Sequence, residues 1–174
     1  MDLFEVIEKR RSVRSYLPDE IDEKDIQEIF EVVRKAPSAK NLQPWRFIVI
    51  DDKAIQKKLV PACRNQAFIS EAPLLIVGCA NEEKCFTHMG QYMKSFSVDL
   101  AIIFDHLTLA ARSKGLGTCW IGAFDEKEVK RILQLPKAVR VVALTPLGYP
   151  KEWPEAKPRR ELPGIMDYNK YNDD

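Results

Sequence analysis

Arg10, Arg11 and Arg14 fall within five residues, with Ser12 between them, where an amphipathic N-terminal segment carrying Leu3, Phe4, Val6 and Ile7 ends. A second basic group, Lys157, Arg159 and Arg160, sits in a proline-rich stretch near the other end of the chain. Two such segments brought together grip a small, highly charged anion, and a phosphate monoester fits best. The planar guanidinium fork matches phosphate oxygens, and a serine hydroxyl or backbone N–H completes the cradle. An isolated Arg-Arg-Ser triplet also describes a solvated basic face.

A second informative stretch is Ala36-Pro37-Ser38-Ala39-Lys40-Asn41-Leu42-Gln43-Pro44-Trp45. Its small side chains let a flat ring approach the backbone, and Asn41 and Gln43 offer the paired donors and acceptors that the edge of a heteroaromatic ring requires. The same stretch also reads as an ordinary helix-to-strand connection closed by Trp45. Cys85 and His88 form a Cys-x-x-His pair, but structural zinc takes four ligands and His106 has no cysteine at ligand spacing, so no metal is expected.

Composition narrows the partners. The 174 residues carry 27 Lys and Arg against 26 Asp and Glu, a net charge of +1, so the basic groups are local and a broad nucleic-acid footprint is not expected. With 45% hydrophobic residues the chain fits one compact domain over 1–174. No apolar run is long enough to span a bilayer and the N-terminus lacks a signal-peptide core, which makes the cytoplasm the expected location. The four cysteines are irregularly spaced, and Cys79 and Cys119 lie in apolar runs, as reduced structural residues do.

The elements that must position these residues follow from periodicity. Asp22 with Asp25 resembles a capping box and opens a helix over 23–35; a second helical stretch covers 52–62. Strands are expected at 46–50, 74–80, 118–121 and 139–147. A long apolar pattern from 92 to 114 predicts a buried helix ending at Gly115, and Asp125 with Glu128 opens another through Leu133. From 150 to 174 four prolines and no periodicity predict an extended arm lying on a surface, its own or a second subunit's. Helices mixed with strands imply an α+β fold, helices packed on a sheet.

The segment Arg10-Arg11-Ser12-Val13-Arg14-Ser15-Tyr16, the loop 36–45, the stretch Gly115-Leu116-Gly117-Thr118-Cys119-Trp120-Ile121-Gly122, and Gly148-Tyr149-Pro150 with Lys157-Pro158-Arg159-Arg160 together resemble the nitroreductase family of FMN-dependent oxidoreductases, in order and spacing, over nearly the whole chain. The resemblance implies a central mixed, mainly antiparallel sheet flanked by helices, a homodimer with FMN at the interface, and an arm over 150–174 that wraps the partner. It implies Arg10, Ser12 and Arg159 on the FMN phosphate with Lys157 or Arg160 nearby, Arg11 near the ring or ribityl chain through its backbone, and Arg14 at the pyrimidine side. It implies that Pro37, Ser38, Ala39 and Asn41 are laid against the flavin by the other subunit, that Asn65 supplies an amide, and that Gly122 and Ala123 offer backbone groups near N5. Some relatives carry a lysine where this chain has Phe68, which leaves Arg14 as the main cation at the N1 and O2 edge.

The implied activity is ping-pong transfer of hydride from NADH or NADPH through FMN to a flat, electron-poor small molecule such as a nitroaromatic or quinone, with no catalytic side chain from the protein. Phe86, His88, Tyr92, Met93 and Phe96 are the candidate walls of the acceptor pocket. A flavin-binding or flavin-delivery module without turnover is the alternative.

Overall fold

Three aspartates set the helix starts. In the computed structural model, which describes residues 1–172, the side chains of Asp22, Asp52 and Asp125 accept hydrogen bonds from first-turn amides of α2 (Glu23–Val33), α3 (Lys53–Ala62) and α5 (Glu126–Leu133). Asp2 does the same for α1 (Leu3–Lys9). Asp25 does not complete a reciprocal box; it pairs with Lys114 at 2.8 Å. The long helix α4 (Phe96–Ser113) ends in a Schellman arrangement, with Gly115 at a φ of 77°, Leu116 N–H donating to Ala111 C=O and Gly115 N–H to Arg112 C=O.

Four antiparallel strands, β1 (Trp45–Ile50), β2 (Leu74–Asn81), β3 (Gly117–Thr118) and β4 (Val139–Gly148), pair in the order β1-β2-β4-β3. The fold is α+β. A parallel bridge between Ser12 and Thr118 adds the mixed character and ties the arginine segment to the β3 edge. β2 is buried on both faces, which is why it reads as an unbroken apolar run. Ile76 and Ala80 face a core with α2 and α4, whereas Leu75, Val77 and Cys79 face a second core with α3 and α5. A Cβ on Gly78 would stand 2.9 Å from Leu100 Cδ2, so glycine is what lets α4 lie close on the sheet.

Two expectations need correction. α4 begins at Phe96, not 92, because Gly90 and Gln91 take φ values of 57° and 64° and Met89 bridges Met93, turning the chain back before the helix. The strand expected over 118–121 is Gly117–Thr118 followed by a bridge from Ile121 to Leu144. Residues 151–172 are exposed throughout and carry one short turn of 3-10 helix, Leu162–Gly164. No helix among the described residues is long and apolar enough to cross a membrane.

The α5–β4 junction has a pH signature. Glu126 accepts from Arg140 at 2.8 and 2.9 Å and from Val141 N at 3.0 Å. The Arg140 guanidinium holds the Glu126 carboxyl below its ordinary 4.5, against the opposing effect of burial. A depressed folded-state pKa contributes stability that is present in full above the unfolded value and is lost as pH falls through the folded one. Below pH 4.5 the melting temperature of the native protein is therefore expected to fall more steeply than that of Glu126→Gln, the two converging in acid; parallel acid limbs in thermal denaturation would remove this assignment.

Candidate functional site

The arginine segment leaves α1 at its C-cap, Arg10, and runs extended along β3. Val13 N–H donates to Thr118 C=O at 2.9 Å, and Leu17 N–H to Tyr149 C=O at 2.8 Å. Tyr16 is fully buried, its hydroxyl donating to Val13 C=O at 2.7 Å, and burial drives its pKa well up. These anchors hold Val13 and Tyr16 inward and leave Arg14 exposed between them. Burial also raises the Cys119 thiol, an effect that the positive charges of Arg14 and Arg10 partly offset.

Among the described residues no carboxylate pairs with Arg10, Arg11 or Arg14. Arg11 donates to its own backbone neighbours, the carbonyls of Glu8 and Arg10, and Arg14 reaches the Ser12 carbonyl at 3.4 Å. A cationic cluster left without a carboxylate partner on a segment anchored to the sheet edge is a ready anion site.

Asn65 and the Gly122–Ala123 stretch lie together. Gln66 Nε2 donates to Cys63 C=O at 2.8 Å and to Ala123 C=O at 3.3 Å, and Asp125 N–H donates to Ala62 C=O at 2.7 Å. Arg64 and Asn65 take φ values of 55° and 58°. Asn65 is exposed on this left-handed turn, and Gly122 and Ala123 are exposed beside it. Phe68 packs on Val13, Tyr16 and Ala72, an apolar partner of the arginine strand where a lysine would have added charge.

The loop holding Pro37, Ser38, Ala39 and Asn41 is fixed from beneath. Ser38 Oγ accepts from Gln43 N at 3.0 Å, Lys40, Asn41 and Gln43 have φ values of 52°, 56° and 47°, and Lys40 Nζ lies 4.6 Å from the centre of the Phe86 ring. Pro37 and Asn41 are exposed. Cavities of about 540 and 520 Å³ flank the edge strand β1; neither is lined by Arg10, Ser12, Arg14, Asn65, Gly122 or Ala123. The arginine groups of the two chain ends are not joined in one chain: no hydrogen bond or ion pair among the described residues links Lys157, Arg159 or Arg160 to the first cluster, and Arg159 donates to Lys157 C=O at 3.5 Å.

Cys85 is buried and its thiol contacts Glu82 C=O at 3.3 Å, while His88 pairs with Thr87 at 2.8 Å. Residues that sequence reasoning passed over are Gln66, which joins two parts of the site, and Ser95 and Asp99 beneath the loop 36–45. Gln66 stands beside Asn65, and an amide next to a turn was the available signal; Asp99 sits in an apolar helical run with no such signal.

Gly117 sets how closely the arginine strand approaches. A Cβ there would lie 2.8 Å from Val13 Cγ2 and 2.9 Å from Val13 Cβ. Gly117→Ala is expected to cost about 1–3 kcal/mol by overpacking and to push the Ser12 segment outward, measured as a lower melting temperature together with weaker ligand uptake.

Residues 7–149 match the family model described as the nitroreductase family. The chain is 34% identical to a protein named NADH dehydrogenase from Thermus thermophilus, covering 89% of each. It also superposes on a nitroreductase family protein from Clostridium novyi NT with a TM-score of 0.79 and 36% identity, covering 87% of this chain and 88% of that one. With the NADPH:FMN oxidoreductase of Vibrio harveyi, solved in complex with NAD+, the TM-score is 0.90 at 27% identity, over 98% of this chain and 78% of that one.

Proposed function

This chain belongs to the nitroreductase family, and from that premise we propose that it is an FMN-dependent oxidoreductase that works as a homodimer. The observations that support this reading are the arginines without a carboxylate partner on a segment bridged to Thr118 at the β3 edge, and the Asn65 turn, whose neighbour Gln66 bonds to the Ala123 backbone.

The donor chemistry fits FMN. Arg10 and Ser12 hold the phosphate, joined by Arg159 with Lys157 or Arg160 from the arm, and their charge-assisted bonds fix the position of the group. Arg14 supplies positive charge at the pyrimidine edge, where negative charge accumulates on reduction, and apolar Phe68 leaves that task to it. Asn65, the Arg11 backbone, and the backbone of Gly122 and Ala123 orient the ribityl and ring. Pro37, Ser38, Ala39 and Asn41 close over the flavin of the partner subunit and exclude water. When bound, FMN supplies the redox chemistry, taking hydride from NADH or NADPH and passing it, in ping-pong order, to a flat electron-poor acceptor such as a nitroaromatic or quinone.

Dimerisation is supported by apolar side chains that one chain leaves in water: Phe4 is 82% exposed on α1, and Tyr168 and Tyr171 are 77% and 83% exposed on the arm over 150–174. The whole of 1–174 acts as one FMN-binding unit. Its test is anaerobic. Purified protein is expected to be yellow, to bleach with NADH or NADPH and to regain colour with a nitroaromatic or quinone; yellow protein inert to both nicotinamides would make it a flavin-holding module instead.

A further inference from the structure

A buried carboxylate joins two loops outside the arginine cluster. Asp99, 2% exposed in the first turn of α4, accepts from Ala39 N–H at 2.8 Å through Oδ1 and from the Ser95 hydroxyl at 2.6 Å through Oδ2. Ser95 Oγ in turn accepts from Phe86 N–H at 3.1 Å. One chain of hydrogen bonds therefore runs from the loop 36–45, through α4, to the 85–95 excursion. Lys40 closes the circuit from above, over the Phe86 ring at 4.6 Å.

This arrangement departs from the local rule. Ser95 is the N-cap residue of α4, yet its side chain caps no amide of its own helix. A serine at that position ordinarily satisfies an orphan N–H there. Instead it spends its hydroxyl on Asp99 and Phe86. Asp99 itself is ion-paired with no Lys, Arg or His among the described residues, so its buried carboxyl group rests on Ala39 N–H and Ser95 O–H. An apolar residue would pack at 99 without that desolvation. Local departures of this kind, held in place by the rest of the fold, mark functional constraint.

We propose that Asp99 is a positioning residue: it keeps the loop 36–45 and the segment around Phe86 in one register, so that the two move as a single body. This rests on the flavin reading for its functional meaning, though not for its physical content. The left-handed backbone at Lys40, Asn41 and Gln43 is held from Asp99 through Ala39, and by Ser38 through Gln43.

Hydrogen exchange on the full-length protein tests the coupling. Ser95→Ala removes contacts made directly to Phe86 and Asp99, and it leaves Ala39 untouched. Coupling predicts that the amides of both Phe86 and Ala39 exchange about tenfold faster or more, in protein with or without FMN. Faster exchange at Phe86 alone, with Ala39 unchanged, overturns the proposal. Asp99→Asn, nearly the same size and still an acceptor for Ala39 N–H, is expected to fall between the native protein and Ser95→Ala in Ala39 exchange; protection equal to native in both variants also overturns it. In the flavin-loaded protein the acceptor KM is expected to rise about tenfold in Ser95→Ala with kcat and bound FMN little changed. Protein that takes up no FMN would sink the functional reading while the exchange result still decides the proposal.

Discussion

Replacing Arg10 and Arg159 together with alanine is expected to give a folded protein that purifies without FMN. Arg10 has no side-chain hydrogen bond or ion pair among the described residues, and Arg159 reaches no further than the carbonyl of Lys157, so neither supports the fold. Each contact with a phosphate is a charge-assisted hydrogen bond worth about 1.5–3 kcal/mol, or roughly tenfold or more in affinity per arginine. Their combined loss puts binding out of reach of purification. Flavin absorbance per protein, read against either single variant, measures it. A double variant that keeps its full complement of flavin would show that the two basic segments do not share an anion.

Truncation after Pro150 is expected to abolish FMN uptake and dimerisation in the same step. The body of the fold keeps Tyr16 bridged to Pro150 and loses little else. What leaves is the arm, with Trp153 stacked 3.7 Å over the Arg112 guanidinium and Leu162, Ile165, Met166, Tyr168 and Tyr171 standing in water. At about 1.5–3 kcal/mol for each large apolar side chain buried by a partner, two of these already account for more than a hundredfold in association. Sedimentation and flavin content measured on the same sample test the pair of effects. A truncated chain that stays dimeric and yellow would separate the arm from both roles.

Much of the framework is legible in the sequence. Asp22 and Asp125, legible as helix starts, cap the helices that follow them, and the continuous burial of β2 appears as the apolar run Leu74 to Ala80 because both of its faces are covered. The start of α4 is masked in the sequence, since Tyr92 and Met93 continue its apolar pattern while the left-handed Gly90 and Gln91 turn the chain. The site was legible as residue types but not as contacts. The bridge from Ser12 to Thr118 spans most of the chain and depends on strand order, which composition does not carry. Asp99 was passed over because a carboxylate in an apolar helix reads as an outward-facing residue until its donors are known. The proposed meeting of Arg10 with Arg159 requires a second chain, whose placement no residue pattern encodes.

All four cysteines lie buried, and burial pushes the thiols of Cys63 and Cys79 up to about 11. Quinones, among the acceptors proposed for this protein, are electrophiles that alkylate thiolates by conjugate addition. With sulfur withheld by enclosure, and at Cys63 and Cys79 by protonation as well, the proposed activity would not consume the protein, and mild arylating reagents should label the native protein far more slowly than the unfolded one.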